Sequence, residues 1–209
     1  PRPNAMRILI TGADGQLGSE LCRLLGYETV IPMTLPEFDL TKPDVEAKIV
    51  ATSPDLIIHA GAYTDVDAAE REPNVAMAVN ATGTLEVSKA AARLGVRLIY
   101  ISTDYVFNGQ QRMPYREQDH PCPINQYGYS KWKGEQAVLA SGANSLVVRT
   151  AWLFGAIGKN FVKSIARAAQ SETVLRVVDD QRGCPTYAED LDYAIVALMT
   201  KDVVGVIHV

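Results

Sequence analysis

The chain has 209 residues, of which 47% are hydrophobic, and this is enough apolar material for a sizeable globular core. Its 24 acidic and 20 basic residues are interspersed and give a net charge of −4, which argues against nucleic acid or an anionic membrane as a partner. No uncharged stretch is long enough to cross a bilayer and no signal-peptide core is found, so we expect a cytoplasmic protein with a small-molecule ligand.

Short apolar runs alternate with longer stretches whose apolar residues have helical spacing. The runs predict strands at 6–11, 28–33, 55–61, 97–103, 145–150 and 173–178. The stretches between them predict helices at 16–25, 42–52, 74–94, 130–140 and 160–170. Continuous apolar runs are typical of strands buried on both faces, and right-handed crossovers make such a sheet parallel. The sequence therefore predicts an α/β fold with a doubly wound, parallel sheet, whose ligands bind at the carboxyl ends of its strands.

A glycine-rich turn follows the first predicted strand and opens the first predicted helix. Gly12, Gly15 and Gly18 repeat every three residues, a variant of the spacing in the dinucleotide-binding fingerprint. There the glycines permit a tight turn, close approach of backbone N–H groups to a pyrophosphate, and close packing of helix on strand. The alternative is a glycine-rich turn in an α/β protein that binds no nucleotide.

The end of the second predicted strand lacks the acidic residue that usually binds the adenine ribose, and no arginine replaces it. The choice between NAD and NADP therefore stays open. Asp39, a few residues further on, could receive the adenine amino group beside the backbone of Leu40. A helix N-cap region or a surface turn explains Asp39 equally well.

Tyr127 and Lys131 lie four residues apart at the start of a predicted helix, so both side chains project from one face. An ammonium near a phenol lowers the tyrosine pKa, which would make the pair an acid/base unit. The alternative is an amphipathic helix with a solvated lysine. Ser102 or Thr103, at the end of the fourth predicted strand, would place a hydroxyl in the same crevice, where it can stabilise a carbonyl oxygen that gains charge.

Six ordered motifs give the sequence a specific resemblance to a known family. They are GADGQLG, HAGAYTDVDAAE, STDYVFNG, PINQYGYSKWKGE, VRTAWLFG and DDQRGCPTYAEDL. Together they resemble the dTDP-4-dehydrorhamnose reductases, which are extended short-chain dehydrogenase/reductases, over the whole length from Met6 to Val209. The resemblance implies NADPH or NADH as the cofactor. It also implies reduction of the C4 ketone of a dTDP-sugar, dTDP-4-dehydro-L-rhamnose, to dTDP-L-rhamnose.

The pattern of elements along the chain changes near Trp152, and we expect a division of the chain there. Residues 6–151 would form the NAD(P)-binding Rossmann core. Residues 152–209 would be a mixed segment that contributes late Rossmann elements and part of a C-terminal substrate lobe. The family continues beyond the final GVIHV with a segment that completes this lobe, so we expect only a partial lobe here.

Carried over residue by residue, the resemblance assigns roles to most of these positions. The implied cofactor-binding residues are Gly12, Gly15, Gln16, Leu17, Gly18, Asp39, Leu40, Ala62, Tyr63, Thr64, Tyr127 and Lys131. The implied catalytic residues are Tyr127 as proton donor, Lys131 as the group that holds the nicotinamide ribose and tunes that tyrosine, and Thr103. The implied substrate contacts are Thr103, Asp104 and Trp152, with a loop that contains Gln181, Pro185 and Thr186 on the substrate side.

Two other functions stay open. A nucleotide-sugar epimerase or dehydratase shares the tyrosine and the lysine, but dehydratases commonly have Asp-Glu after the strand-four threonine, and here Asp104 is followed by Tyr105. A non-catalytic subunit that resembles the regulatory β subunit of methionine adenosyltransferase could retain the same residues.

The spacing of the histidines and cysteines predicts no catalytic metal, and the three widely separated cysteines are expected to be reduced. Acidic residues could still hold a structural divalent ion at a subunit contact. We expect a homodimer as the possible assembly.

Overall fold

The computed structural model describes residues 5–171 and 174–209. The strands are β1 (Arg7–Thr11), β2 (Thr29–Met33), β3 (Leu56–His59), β4 (Arg97–Thr103), β5 (Ser145–Thr150), β6 (Leu153–Phe154), β7 (Thr186–Tyr187) and β8 (Gly205–His208). The α-helices are α1 (Gln16–Leu24), α2 (Val45–Thr52), α3 (Val66–Arg71), α4 (Pro73–Met77), α5 (Thr84–Leu94), α6 (Gln126–Ala140), α7 (Phe161–Ser171) and α8 (Ala188–Met199). A π-helix, Ala78–Gly83, joins α4 to α5, and a 3-10 turn, Asp104–Val106, follows β4.

The central sheet has six parallel strands in the order β2-β1-β3-β4-β5-β8, and β6 pairs with β7 in a separate two-stranded sheet. β2 lies on one side of β1, and β3, β4, β5 and β8 follow one another on the other side. The strand order therefore reverses between β1 and β3. In open α/β sheets this reversal opens a crevice at the carboxyl ends of the strands, which is where ligands bind.

Alternate residues of β1 enter two separate cores, one on each face of the sheet. Ile8 and Ile10 pack with residues of α1 and α8, whereas Leu9 packs with residues of α2 and α5. Because successive strand side chains point to opposite faces, a strand covered on both faces needs apolar residues at every position. This is the physical reason for the continuous apolar runs in the sequence, and it confirms the predicted doubly wound Rossmann-type fold.

Five of the six predicted strands are present, and the one predicted at 173–178 is wrong. Thr173 lies outside the described residues, and 174–178 form no strand. The side chains of Val174 and Val178 are 75% and 67% exposed, so this apolar run is not buried in a sheet. The sixth strand of the sheet is instead β8, which pairs with β5 and which the sequence analysis did not identify. The domain division at residues 151 and 152 stays a prediction.

The long helix predicted at 74–94 is present in three consecutive pieces, α4, the π-helix and α5. Helix α6 begins at Gln126, four residues before its predicted start, because Asn125 caps it: the Asn125 side chain accepts a hydrogen bond of 2.7 Å from the Gly128 N–H. Helix α8 was not predicted. Within the described residues, no helix is long and apolar enough to cross a membrane.

Candidate active site

The glycine-rich turn between β1 and α1 is tightly packed at two of its three glycines. Gly12 has a φ of +64°, and a Cβ there would lie 2.7 Å from the Gly61 Cα. A Cβ at Gly18 would overlap the carbonyl oxygen of Gly12. A Cβ at Gly15 would meet only that same carbonyl oxygen, at 3.2 Å, so this glycine leaves one side of the turn open. The turn thus has the close helix–strand packing and the accessible backbone that a pyrophosphate requires.

We expect Gly18→Ala to lower the free energy of unfolding by about 2 kcal/mol, because the methyl group would overlap backbone that has no free space. Urea unfolding at equilibrium measures the change. Gly15→Ala is the matched control, because its methyl group would lie 3.2 Å from a single carbonyl oxygen and needs only a small shift, so it should lose less stability than Gly18→Ala. Equal midpoints for the two variants would contradict the tight packing at Gly18.

A cleft of about 1310 Å³ opens at the carboxyl ends of β1, β3 and β4. It brings together nearly all of the predicted site residues. The predicted residues that line it are Gly12, Gly15, Gln16, Leu17, Gly18, Asp39, Leu40, Ala62, Thr64, Thr103, Asp104, Tyr127, Lys131 and Trp152, with Gln181 and Pro185 from the predicted substrate-side loop. Thr186 belongs to β7 and does not line the cleft.

Tyr63 departs from its predicted position on the nicotinamide side. Its hydroxyl donates a 2.7 Å hydrogen bond to Glu72, and its side chain does not line the cleft, whereas its neighbours Ala62 and Thr64 do. The hydrogen bond to Glu72 holds the Tyr63 side chain outside the cleft. That Tyr63 contributes to cofactor binding stays a prediction.

Asp39 combines the two interpretations that the sequence left open. One carboxylate oxygen accepts hydrogen bonds from the backbone N–H and the hydroxyl of Thr41, at 2.9 and 2.7 Å, which makes a local turn. These bonds hold the pKa of Asp39 below its usual value. The residue also lines the cleft beside Leu40, so an ionised carboxylate faces the region expected for adenine.

Tyr127 lies in the first turn of α6, at the floor of the cleft. Burial raises the pKa of its phenol to about 12, and the Thr103 hydroxyl partly opposes this rise. The phenol is therefore protonated at neutral pH and can act as a proton donor. The prediction that Lys131 lowers the Tyr127 pKa is wrong for this arrangement, because burial dominates and the lysine is directed elsewhere.

Lys131 is almost completely buried, one helical turn after Tyr127. Its Nζ donates a 2.6 Å hydrogen bond to the carbonyl oxygen of Ile101 and lies 4.2 Å from the centre of the Tyr100 ring. Burial lowers the pKa of Lys131 to about 7. The lysine thus loses its proton more readily than an exposed lysine does, at a position where it lines the cleft.

The two candidate hydroxyls at the end of β4 have different partners. The Ser102 hydroxyl donates a 2.6 Å hydrogen bond to Glu135, away from the reaction centre. The Thr103 hydroxyl donates to Asp104 at 3.2 Å and acts on the Tyr127 phenol. Burial also raises the pKa of the Asp104 carboxyl. Thr103 is therefore the hydroxyl that can meet a substrate oxygen beside Tyr127.

Asn80, in the π-helix, was not assigned to the site by the sequence analysis. Its side chain bonds both the N–H and the carbonyl oxygen of Tyr63, at 2.8 and 2.9 Å, and donates a 2.9 Å bond to the Ser130 hydroxyl. It therefore ties the loop after β3 to helix α6. The available signal in the sequence was an asparagine among the apolar residues of a predicted helix. A role in stabilising that helix explained Asn80 as well as a role in the site.

Helix α6 approaches its neighbours closely at two glycines. A Cβ at Gly128 would overlap the carbonyl oxygen of Tyr105, and a Cβ at Gly134 would overlap the carbonyl oxygen of Asn80 and the Tyr100 hydroxyl. These contacts fix the height and rotation of the helix that carries Tyr127 and Lys131.

Trp152 follows β5 and is 41% exposed, so it is not a core aromatic. Its φ of +48° is unusual for a residue with a side chain and signals local strain, which clusters at functional sites. A Cβ at Gly183 would lie 2.6 Å from the indole ring, so the substrate-side loop packs directly against it. Trp152 therefore forms part of the wall of the cleft.

The residues present fit a dinucleotide. The turn presents backbone at Gly15, and α1, which begins at the next residue, has no side-chain cap, so its first N–H groups can meet an anion. Two buried polar atoms of residues that line the cleft, the Gln16 Nε2 and the Thr150 hydroxyl, have no hydrogen-bond partner in the protein. The described parts of the chain contain no group of three or more His, Cys, Asp or Glu residues that could hold a metal ion.

Comparisons with known proteins agree with this geometry. The family model for the RmlD substrate binding domain matches residues 6–209. A dTDP-4-dehydrorhamnose reductase from Mycobacterium tuberculosis is 45% identical, over 97% of this chain and 69% of its own length. One from Burkholderia thailandensis is 43% identical, over 89% of this chain and 63% of its own. The crystal structure of dTDP-4-dehydrorhamnose reductase from Bacillus anthracis in complex with NADP superimposes with a TM-score of 0.94 at 41% identity, and the match covers 99% of this chain and 74% of that one.

Proposed function

The chain belongs to the dTDP-4-dehydrorhamnose reductase family, and from this membership we propose that the protein reduces the C4 ketone of dTDP-4-dehydro-L-rhamnose to give dTDP-L-rhamnose, with NADPH or NADH as the cofactor. The observation that carries the proposal is the arrangement of Tyr127, Lys131 and Thr103 in the same cleft as the glycine-rich turn. A homodimer, a cytoplasmic location and a structural divalent ion stay predictions.

The nicotinamide cofactor supplies the hydride when it is bound, and the chain's own residues supply its position and the proton. The turn at Gly15 and the first N–H groups of α1 hold the pyrophosphate. The Lys131 ammonium holds the nicotinamide ribose. Asp39 and the backbone of Leu40 meet the adenine.

Tyr127 and Thr103 act on the ketone oxygen. The Tyr127 phenol donates a hydrogen bond to that oxygen, the Thr103 hydroxyl donates a second when it turns from Asp104, and both bonds strengthen as the oxygen gains negative charge. The Tyr127 phenol then transfers its proton to the oxygen, which completes the alcohol. The raised pKa of Tyr127 supports this direction of transfer, since the phenol keeps its proton until a strong base forms beside it.

Trp152, Asp104 and the substrate-side loop bound the part of the cleft where the sugar enters. The indole offers a flat apolar surface to one face of a sugar ring, and Asp104 offers hydrogen-bond acceptors to its hydroxyl groups. These contacts orient the C4 carbon toward the nicotinamide side, so they support reduction at one position of the ring.

An assay with dTDP-4-dehydro-L-rhamnose and each reduced cofactor tests the proposal. Loss of nicotinamide absorbance and appearance of dTDP-L-rhamnose by NMR are the expected results. A protein that binds the cofactor but reduces no nucleotide-sugar ketone would instead favour the regulatory-subunit alternative. Conversion of a dTDP-4-dehydro sugar without consumption of reduced cofactor would favour an epimerase.

We expect NADPH and NADH to bind with dissociation constants within about a hundredfold of each other, or about 2.7 kcal/mol. Met33, Thr34 and Leu35 line the cleft at the end of β2, and none of them offers a charge that attracts or repels a 2′-phosphate. Isothermal titration calorimetry with each cofactor measures the ratio. A larger preference would mean that a charged group from another element reaches the ribose.

A further inference from the structure

A row of polar side chains runs across three strands directly behind the cleft. Ser102 of β4, Arg149 of β5 and His208 of β8 are partners in the sheet register. The Arg149 guanidinium forms a two-bond ion pair with Glu135 of α6, at 2.8 and 2.7 Å, and lies 3.4 Å from the His208 ring nitrogen. The mechanism proposed above does not use this row.

The Glu135–Arg149 pair is almost completely removed from solvent, with side chains 2% and 5% exposed. Burying two charges has a large desolvation cost, and apolar residues of similar size often stabilise a fold equally well. Stability alone is therefore a weak explanation for an ion pair at this position. The groups that lie beside the Glu135–Arg149 pair suggest a second explanation.

Glu135 is one helical turn after Lys131, so the two side chains lie on the same face of α6. Its carboxylate accepts hydrogen bonds from Ser102 and Arg149, while the Lys131 ammonium bonds the Ile101 carbonyl oxygen. Glu135 thus acts on Lys131 through its electric field.

The groups around Lys131 divide into neutral and charged ones. Those that are neutral at pH 7 are His59 of β3, whose pKa burial lowers to about 3, Tyr100 of β4, whose pKa burial raises, and Tyr127 of α6. The charged ones are Glu135 and its partner Arg149. The negative charge of Glu135 raises the pKa of Lys131 and opposes the effect of burial.

We propose that Glu135, held in place by Arg149 and Ser102, is a positioning residue that keeps Lys131 in its charged, cofactor-holding form. This inference rests on the proposed function for the role of Lys131 in holding the cofactor. Arg149 fixes the carboxylate so that its charge stays at one distance from the lysine. Removing that charge should allow Lys131 to lose its proton at a lower pH, and cofactor affinity should then fall at a lower pH.

The test is the pH dependence of the NADPH dissociation constant, measured by fluorescence without any sugar. Wild type should bind more weakly above the pH at which free Lys131 loses its proton. In the double variant Glu135→Gln/Arg149→Met, which removes both charges and leaves no unpaired ion, that midpoint should move down by about one pH unit. The apolar double variant Glu135→Leu/Arg149→Leu is measured in parallel, and the same shift is expected in whichever variant folds.

Two controls separate charge from packing. Glu135→Asp keeps the charge on a shorter side chain and should retain the wild-type midpoint. Glu86→Gln/Lys89→Met removes an ion pair of 2.7 Å on the surface of α5 and should also leave the midpoint unchanged. An unchanged midpoint in the folded double variants, a shift in Glu135→Asp as large as theirs, or a wild-type affinity that does not fall at high pH would overturn the proposal. Because no ketone is present, a failure of the reductase assay does not affect these outcomes.

Discussion

Tyr127→Phe should lower kcat by about 10²- to 10⁴-fold while the dissociation constant for NADPH changes little. The variant keeps the aromatic ring and removes only the hydroxyl that we propose as the proton donor to the C4 oxygen. Because that hydroxyl matters most once the oxygen gains charge, the loss should fall on kcat rather than on KM. Steady-state kinetics with the dTDP-sugar and a separate cofactor titration measure the two quantities.

Tyr129→Phe is the matched control. Tyr129 lies on the same helix two residues later, is 39% exposed and does not line the cleft, so its loss of a hydroxyl should leave kcat unchanged. Lys131→Met should differ from both, because it should weaken cofactor binding as well as turnover. A Tyr127→Phe variant that retains wild-type kcat would remove Tyr127 from the role of proton donor.

Asp192→Asn should raise the free energy of unfolding by about 3 kcal/mol at pH 9. Asp192 of α8 is completely buried, and neither carboxylate oxygen has a hydrogen-bond partner. Burial, together with the charges of Glu20 and Glu189, raises the pKa of Asp192 from 3.8 to about 8, and Arg23 only partly opposes this rise. Full linkage over that interval corresponds to about 6 kcal/mol. We expect about half of this value, because relaxation and water penetration lower the desolvation cost of a buried charge.

The direction of the pH dependence follows from the raised pKa. Between pH 3.8 and about 8 the folded state holds a proton at Asp192 that the unfolded state has lost, so the free energy of unfolding falls as the pH rises. The free energy of unfolding of wild type should therefore fall further below that of Asp192→Asn as the pH rises across this range. Urea unfolding at pH 5, 7 and 9 measures it. Asp190→Asn, on the exposed face of the same helix, should show no such trend, and a constant difference for Asp192→Asn would contradict the buried-carboxyl interpretation.

The parts of the fold that repeat a simple pattern could be predicted from the sequence. Strands β1, β3, β4 and β5 are buried on both faces, and their apolar runs mark them without ambiguity. The run at 174–178 has four apolar residues but remains exposed, whereas the four residues of β8 are only partly buried. The place of β8 in the sheet depends on β5, a neighbour that is distant in sequence, and the local pattern carries no record of that neighbour.

In the candidate site, too, features set by local spacing could be predicted, and features set by the whole fold could not. Gly12, Gly18, Tyr127 and Lys131 could be identified because their spacing is fixed by one turn or one helix. The direction of the Tyr127 pKa shift could not be predicted, because burial causes most of it and burial depends on the whole fold. The direction of the Tyr63 side chain was also hidden, since it depends on a hydrogen bond to Glu72, nine residues further along the chain.

The glycines of α6 have a consequence for the entropy of the reaction. Gly128 and Gly134 let the helix backbone rest directly on Tyr105 and Asn80, so α6 can neither rotate nor slide without collision. Tyr127 and Lys131 are thus held in a fixed arrangement during folding, when hydrophobic burial offsets the loss of freedom. Little of the free energy of substrate binding is then needed to order these protein side chains. In the proposed reaction, that free energy remains available to stabilise the charge that develops on the ketone oxygen.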